Sequence, residues 1–416
     1  MIMGTEIRNL KARIVFNSRG EKAFEADVFV GGFMGRACAP AGASTGAAEA
    51  VAFPPSGPEG ALQAFKEYSR KLIGFKADDI TGLAELFHQI DQTPNFSKIG
   101  GAAVFAVTVA SVDAASKALG VPMFKLIGGE KEYRHPFPLG NVLGGGKHAG
   151  PGSPDIQEFL SLPVGAKRVY DAIYANILVH KEVRKLIEKK DPSFSGGKGD
   201  EGAWAPNLND LEALEIVSDA VNNVSDKLGF SVKMGIDFAS SSLYNPQTNF
   251  YEYSRRGVKF SRSEQINFVL SIIDKYSPAY IEDPLFEDDF EGFSILTKES
   301  KRTYIVGDDI FVTNTSRLLE GVKVGAGNGV ILKVNQVGPL GDALKFAKTA
   351  KENRYIVAVS HRSGESVDPH LAHIALGVSG EIIKSGVVGG ERIAKLNELI
   401  RIDEIYGPFK MSNLGW

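Results

Sequence analysis

Ala279-Tyr280-Ile281-Glu282, Tyr304-Ile305-Val306-Gly307-Asp308 and Val330-Ile331-Leu332-Lys333 repeat one pattern, a short apolar run that stops on a charged residue. Val232-Lys233-Met234-Gly235-Ile236-Asp237 precedes them with the same form. Ile356-Val357-Ala358-Val359-Ser360, which runs into His361-Arg362-Ser363, and Glu381-Ile382-Ile383-Lys384 follow. Runs of this length read as buried strands. Between most of them lie helix-length segments: Asp210 to Leu228, Ser263 to Tyr276, Pro339 to Asn353 and Pro369 to Leu376. Two further strands, Phe137 to Leu143 and Gln157 to Pro163, come earlier, with no room for a helix between them. Eight strands over residues 136–416 predict an α/β barrel, TIM-like but irregular in its first strands and helices, since such barrels take ~250 residues. A doubly wound open sheet is the structural rival.

Residues 1–130 read differently. Ile7 to Phe16 and Ala23 to Val30 alternate as two strands of a hairpin around Asn17-Ser18-Arg19-Gly20. Glu59 to Leu72, Ile80 to Ile90 and Ala102 to Leu119 carry helical periodicity. Strands followed by helices predict a small α+β capping domain, joined near Gly128-Gly129 to the barrel domain at 136–416. A length of 416 residues fits two domains. An apolar fraction of 43% with 23% charged residues is ordinary globular composition. A net charge of −3 with both signs mixed argues against a nucleic-acid partner. Cys38 is the single cysteine, which excludes an intrachain disulfide and fits a reducing, cytoplasmic setting. No secretory signal is read at Met1 to Ile7. No apolar run is expected to reach the ~20 residues that span a bilayer, so no membrane partner is expected.

The C-terminal strand ends of a barrel converge on one mouth, where active sites lie. Six strand ends would therefore aim three carboxylates (Asp237, Glu282, Asp308), two lysines (Lys333, Lys384) and Arg362 at one small volume. Carboxylates so close raise one another's pKa. A hard divalent cation with oxygen ligands, such as Mg2+, relieves that repulsion. A lysine beside a cation is pushed towards its neutral form and can act as a base. Arg362, Ser363 and Lys384 offer a grip on a phosphate or carboxylate. Taken singly, Asp283 and Asp309 read as helix caps or surface acids. Glu201 lies in the glycine-rich segment from Ser195 to Gly202, either a mobile functional loop or a surface linker. Gly144-Gly145-Gly146-Lys147-His148-Ala149-Gly150 lacks the spacing of a nucleotide-binding loop. His148 remains a candidate substrate contact.

Eight strings stand in compatible order: Gly42 to Gly46 (Gly-Ala-Ser-Thr-Gly), Gln157-Glu158-Phe159, Gly199-Asp200-Glu201-Gly202, Ile281-Glu282-Asp283-Pro284, Gly307-Asp308-Asp309, Leu332 to Gln336, Ser360 to Gly364 and Ile383-Lys384. Together they resemble the motifs of the enolase family, and Val387 to Lys395 is most similar to its archaeal branch. The resemblance implies reversible dehydration of 2-phosphoglycerate to phosphoenolpyruvate with two Mg2+ per active site. It implies Lys333 as the base at C2 and Glu201 as the acid at the departing hydroxyl. Asp237, Glu282 and Asp308 match ligands of one Mg2+, and Ser44 matches a ligand of the second. His148, Gln157, Glu158 and His361 match substrate contacts, Arg362 and Ser363 the phosphate grip, and Lys384 the lysine facing the substrate carboxylate. A homo-oligomer, dimer or octamer, is implied as well.

That chemistry requires Lys333 neutral and Glu201 protonated, opposite to their states in water. The chain departs from the family pattern at Asn17, Ala41, Ala48 and Ala203-Trp204. These departures bear on loop closure, substrate affinity and subunit contact. Alternative readings are another lyase or racemase of the superfamily acting next to a carboxylate, or an idle scaffold on the same fold.

Overall fold

The N-terminal sheet takes its register from one turn. In the computed structural model, which describes residues 4–43, 46 and 48–415, strands Ile7–Phe16, Lys22–Val30 and Phe33–Cys38 pair antiparallel in that order. Asn17 builds the first turn, its Oδ1 accepting the amides of Arg19 and Glu21 at 2.9 and 3.0 Å. Local caps of this kind are what Asn side chains do best. The third strand, with Gly35 at its centre, has no alternation that sequence reading could use. That glycine is where the sheet meets its main helix: a Cβ there would land on the Ala110 carbonyl and the Ala114 amide.

The helices expected in this part are present as Gly57–Tyr68, Ile80–Asp91 and Gly101–Leu119. The last corrects one expectation. It is apolar and long enough to cross a membrane by length and composition, although 78% of its apolar window is buried inside the protein. Scattered Thr108, Ser111 and Ser116 break the look of a continuous apolar run, yet their hydroxyls bond back to helix carbonyls. It is the core helix of the N-terminal sheet.

The barrel closes through eight strands: Tyr280–Glu282, Tyr304–Gly307, Gly329–Leu332, Ile356–Ser360, Ile382–Lys384, Phe137–Gly144, Glu158–Leu162 and Lys233–Asp237. Its expected irregularity has a definite form. The strand Glu158–Leu162 runs antiparallel to both neighbours, because the segment 145–157 is too short to carry a crossover helix. Two helices in succession, Val169–Lys190 and Asp210–Leu228, then return the chain to the strand Lys233–Asp237. The second starts at a capping box of Asn209 and Glu212. Most strands are buried along their whole length, for example Gly329–Leu332 and Ile356–Ser360, as expected when helices cover the outside. The reversal of one strand has a functional consequence, since it brings the first residue of Glu158–Leu162 to the mouth where its neighbours end.

Gly35→Ala is expected to push the helix Gly101–Leu119 off the sheet and to cost about 1–3 kcal/mol. A urea midpoint lowered at unchanged slope would show this; an unchanged midpoint would mean the contact yields freely.

Candidate active site

Three carboxylates stand abreast on adjacent strands. Glu158 is paired in register with Asp237, and Asp237 with Glu282. Like charges side by side on a sheet repel, and Glu158 and Glu282 are fully buried. The opposing charge comes from Lys384, whose Nζ lies 2.8 Å from Glu158, 2.9 Å from Asp237 and 2.8 Å from Glu282. Burial disfavours a charged lysine, but these acids raise its pKa well above the ordinary value. One positive charge does not satisfy three negative ones. Burial, with Asp237 nearby, holds the Glu282 carboxyl well above the usual range, and Asp308 adds to this. Glu282 Oε1 is buried with no hydrogen-bond partner among the described residues, while Oε2 accepts from Tyr280 at 2.6 Å and from Lys384. An orphaned carboxylate oxygen on the residue in register with Asp237 is what an oxygen-seeking divalent cation would complete. The residues present therefore fit such an ion.

Asp308 lies on the other side of this group and is ion-paired with Lys333. Burial opposes the charge on Lys333, yet Asp308 and Glu282 outweigh it and raise its pKa. Asp283 is buried rather than a surface acid. Its two oxygens accept the amides of Asp308 and Asp309 at 2.9 and 2.7 Å. Asp283, Asp308 and Asp309 each offer an oxygen within 4.8 Å of the others. Burial and Asp308 push Asp309 up to about 7. Ser44 lies outside the described residues.

Glu201 approaches from a loop tied to the strand Phe137–Gly144, whose Asn141 donates to Glu201 Oε2 at 3.3 Å. His148, Glu158 and Glu201 form a second group with ligand atoms within 4.8 Å. His148 Nδ1 stands 3.1 Å from Glu158 and 3.9 Å from Glu201. Burial lowers the His148 pKa, but those two carboxylates bring it up to about 9. His361 behaves oppositely. Its Nδ1 is 2.8 Å from Arg392, which can only donate. Its hydrogen therefore sits on Nε2, 3.4 Å from Glu201. Burial, with Arg392 beside it, keeps His361 neutral, at about 4. Burial raises the Glu201 pKa, but His361 and His148 draw it well below the carboxylate range. Gln157 and Glu158 complete this side of the mouth.

Arg362 and Ser363 meet the N-terminal domain. Arg362 donates to Glu49 at 3.0 and 3.2 Å and to Asn335 at 3.2 Å. Ser363 Oγ accepts the amide of Ala43 at 2.7 Å. Ala41 and Gly364 exchange two backbone hydrogen bonds, each of 2.8 Å. Strand-end position alone puts Arg362 and Ser363 at the mouth but carries no signal for Glu49 as the partner of Arg362. Arg392 and Asn141 were likewise beyond it, since their use depends on tertiary approach. The cleft at the mouth is narrow and mostly polar, lined by His148, Gln157, Glu201, Asp308, Lys333 and Arg362 among others. It suits a small, highly charged ligand.

A closed barrel with carboxylate groups able to hold a metal at its mouth, together with an N-terminal α+β domain, is the architecture of a metal-dependent enzyme. Comparison with known proteins specifies the family. Residues 132–411 match the enolase C-terminal TIM barrel domain, and residues 7–127 match the enolase N-terminal domain. The chain is 46% identical to the enolase of Methanothermobacter thermautotrophicus over 414 residues, covering 99% of this chain and all of that protein. It is 46% identical to the Archaeoglobus fulgidus enolase over 405 residues (97% and 99% of the two chains). Against the Pyrobaculum aerophilum enolase it is 43% identical over 411 residues (97% and 98%). The chain belongs to the enolase family, and its activity is that of a hydro-lyase, phosphopyruvate hydratase. The family implies a divalent metal and a small-molecule substrate.

The loop that carries Glu201 is anchored by His180. Its Nε2 lies 2.9 Å from the Gly202 carbonyl, its ring stacks on Trp204 at 4.5 Å, and its own carbonyl accepts from Trp204 Nε1 at 2.7 Å. The Ala203-Trp204 departure thus places a ring against the buried imidazole. Burial lowers the His180 pKa from 6.5 to about 4. The unfolded chain binds this proton near pH 6.5 and the folded one only near 4. Stability is therefore constant above 6.5 and falls as the pH drops towards 4, by up to about 3 kcal/mol from this residue. Denaturation midpoints at pH 7 and pH 4.5 are expected to differ less in His180→Gln than in the parent chain. An equal difference in both would show that His180 is not the group responsible.

Proposed function

We propose that the chain catalyses the Mg2+-dependent, reversible dehydration of 2-phosphoglycerate to phosphoenolpyruvate, with Lys333 as base and Glu201 as acid. The observation that carries this reading is their placement. The strand ending at Lys333 is three places around the barrel from the strand to which the Glu201 loop is bound. Base and acid thus face one another across the cleft, which suits loss of a proton and a hydroxide from opposite faces of one ligand.

A proton next to a carboxylate is weakly acidic because its removal puts a second negative charge on that group. Asp237, Glu282 and Asp308 would hold one Mg2+ and Ser44 would contribute to a second. Bound there, the two ions supply electrostatic stabilisation of the developing dianion. Lys384 would add a fixed positive charge beside the substrate carboxylate, while Arg362 and Ser363 receive the phosphate. His148, Gln157, Glu158 and His361 would orient the ligand. Lys333 must lose its proton before it can accept one from C2. Its pairing with Asp308 opposes that, and Asp308 would hold the proton less firmly if its oxygens held a cation. Glu201 must gain a proton; the charged His148 beside it is a nearby source.

The reading extends to assembly and setting. Residues 1–130 act as a capping domain on the catalytic barrel of 136–416, and the chain works as a homo-oligomer, dimer or octamer. The place for this reaction is cytoplasmic glycolysis and gluconeogenesis, consistent with a chain that has one buried cysteine.

Phosphoenolpyruvate absorbance with 2-phosphoglycerate as substrate tests the assignment directly. Turnover is expected with Mg2+ and its loss on chelation. Lys333→Ala and Glu201→Gln are each expected to lower kcat by ~10²–10⁴-fold, the usual contribution of a positioned acid or base. Unchanged turnover in folded Lys333→Ala would remove Lys333 from the role of base.

A further inference from the structure

Gln336 is buried and has every hydrogen-bonding group of its side chain engaged. Its Nε2 donates to Asp308 at 3.0 Å and to Glu49 at 3.3 Å. Its Oε1 accepts from the Thr313 hydroxyl at 2.6 Å. The orientation of the amide follows from Thr313. That hydroxyl oxygen accepts the backbone amide of Lys333 at 3.0 Å, so its own hydrogen points at Gln336. An oxygen must receive it, which turns the two amide hydrogens towards the two carboxylates. The backbone adds a further tie, as the Gln336 carbonyl accepts the amide of Ala50 at 2.7 Å.

The segment that presents Thr313 is strained. Val312 and Thr313 have φ of 43° and 55°, a left-handed region that β-branched residues rarely adopt. Such conformations cost of order 1–3 kcal/mol each and persist where surrounding structure fixes them. Here the strain aims one hydroxyl at the turn after Lys333.

We infer that Gln336, oriented by Thr313, is a positioning residue that ties the metal-binding carboxylate Asp308 to the Glu49–Arg362 pair, so that metal site and anion grip are set together. The inference rests on the assignment of Asp308 as a metal ligand and deepens it. Both carboxylates accept from one amide, so the barrel and the capping domain share one fixed donor. Without it, Asp308 keeps only Lys333 as a side-chain donor among the described residues, and Glu49 loses a tie to the barrel. Groups that orient metal ligands in this way typically control metal affinity or activity by 10–100-fold.

Gln336→Met keeps the shape and removes all three polar contacts; Thr313→Val removes only the hydroxyl. In calorimetric titration of the full chain with Mg2+ alone, Gln336→Met is expected to weaken binding by ~10–100-fold. KM for 2-phosphoglycerate is expected to rise more than kcat falls, because the anion grip shifts with it. Thr313→Val is expected to move both quantities in the same direction by a smaller factor. The double variant is expected to be no worse than Gln336→Met, since both changes act through one amide. A folded Gln336→Met with Mg2+ affinity and KM within twofold of the parent overturns the inference, as does strict additivity in the double variant. Should Gln336→Met fail to fold, a Thr313→Val protein without either shift overturns it equally. Asp308→Asn separates the two layers. If it weakens Mg2+ binding while Gln336→Met does not, only the bridge is wrong. If neither variant changes Mg2+ affinity, the ligand assignment itself has failed.

Discussion

The ammonium of Lys384, enclosed by Glu158, Asp237 and Glu282 at 2.8–2.9 Å, is the interaction on which the mouth of the barrel depends. Those acids lie in register on three adjacent strands, so the sheet forces them together whatever their charge. Three buried carboxylates without a counter-charge would not remain ionised. Lys384 comes from a strand further round the barrel, and its reach across the mouth is what lets them stay close. The charge balance is still negative, and the unpartnered Glu282 Oε1 marks where further positive charge belongs. The same imbalance explains a difference from the expectation raised by sequence. Lys333 neutral and Glu201 protonated are the states their proposed roles require, whereas the surroundings favour Lys333 charged and Glu201 ionised. Asp308 holds the proton on Lys333, and two imidazoles keep it off Glu201. In the proposed mechanism a bound cation would weaken the first of these holds, and a proton from His148 would offset the second.

The N-terminal domain meets the mouth of the barrel through specific contacts. Ala41 pairs backbone to backbone with Gly364, so it contributes no side-chain atom to that contact. A serine at that position is not needed for the pairing. Asn17 caps its turn through a side-chain oxygen, which asparagine supplies as well as aspartate would. Glu49 is the contact that carries charge, and it engages Arg362 in a buried pair. Truncating one partner of such a pair leaves the other buried and uncompensated.

The features legible in sequence were those set by local pattern. Apolar runs ending on Asp237, Glu282, Asp308 and Lys333 gave both the barrel and the residues at its mouth, because strand ends and active-site positions coincide in this architecture. Glu158 was legible only through motif likeness. Its strand runs the opposite way, so its acid begins the strand instead of ending it. The helix Val169–Lys190 was obscured by polar and aromatic residues, with Tyr170 and Tyr174 exposed on its surface. Glu49, Gln336 and Thr313 carry no periodic or compositional signal. Their importance comes from contacts between segments far apart in sequence, such as Gln336 with Glu49. Asp283 was misread as a possible surface acid because nothing local shows that its carboxylate is consumed by the next strand's amides.

Backbone strain is distributed along the same mouth in a way that follows from this geometry. Non-glycine residues with left-handed backbone follow the acid-bearing strands within a few residues: Asp283 at φ 40° next to Glu282, Ala239 at φ 45° two after Asp237, and Val312 and Thr313 in the segment that follows Asp308. An acid that must be the last residue of its strand needs the chain to turn away at once, or the following backbone would fill the cleft. Glycine would relieve the strain, but it would also loosen the turn in the unfolded chain and in the folded one. Alanine, aspartate, valine and threonine at these positions hold the turns at some energetic cost. Two of them also give their side chains to the site, Asp283 to the amides of Asp308 and Asp309, and Thr313 to Gln336. Strain and hydrogen bonding are therefore coupled: the conformations that are unfavourable for the backbone are those that deliver the polar groups which fix Asp308.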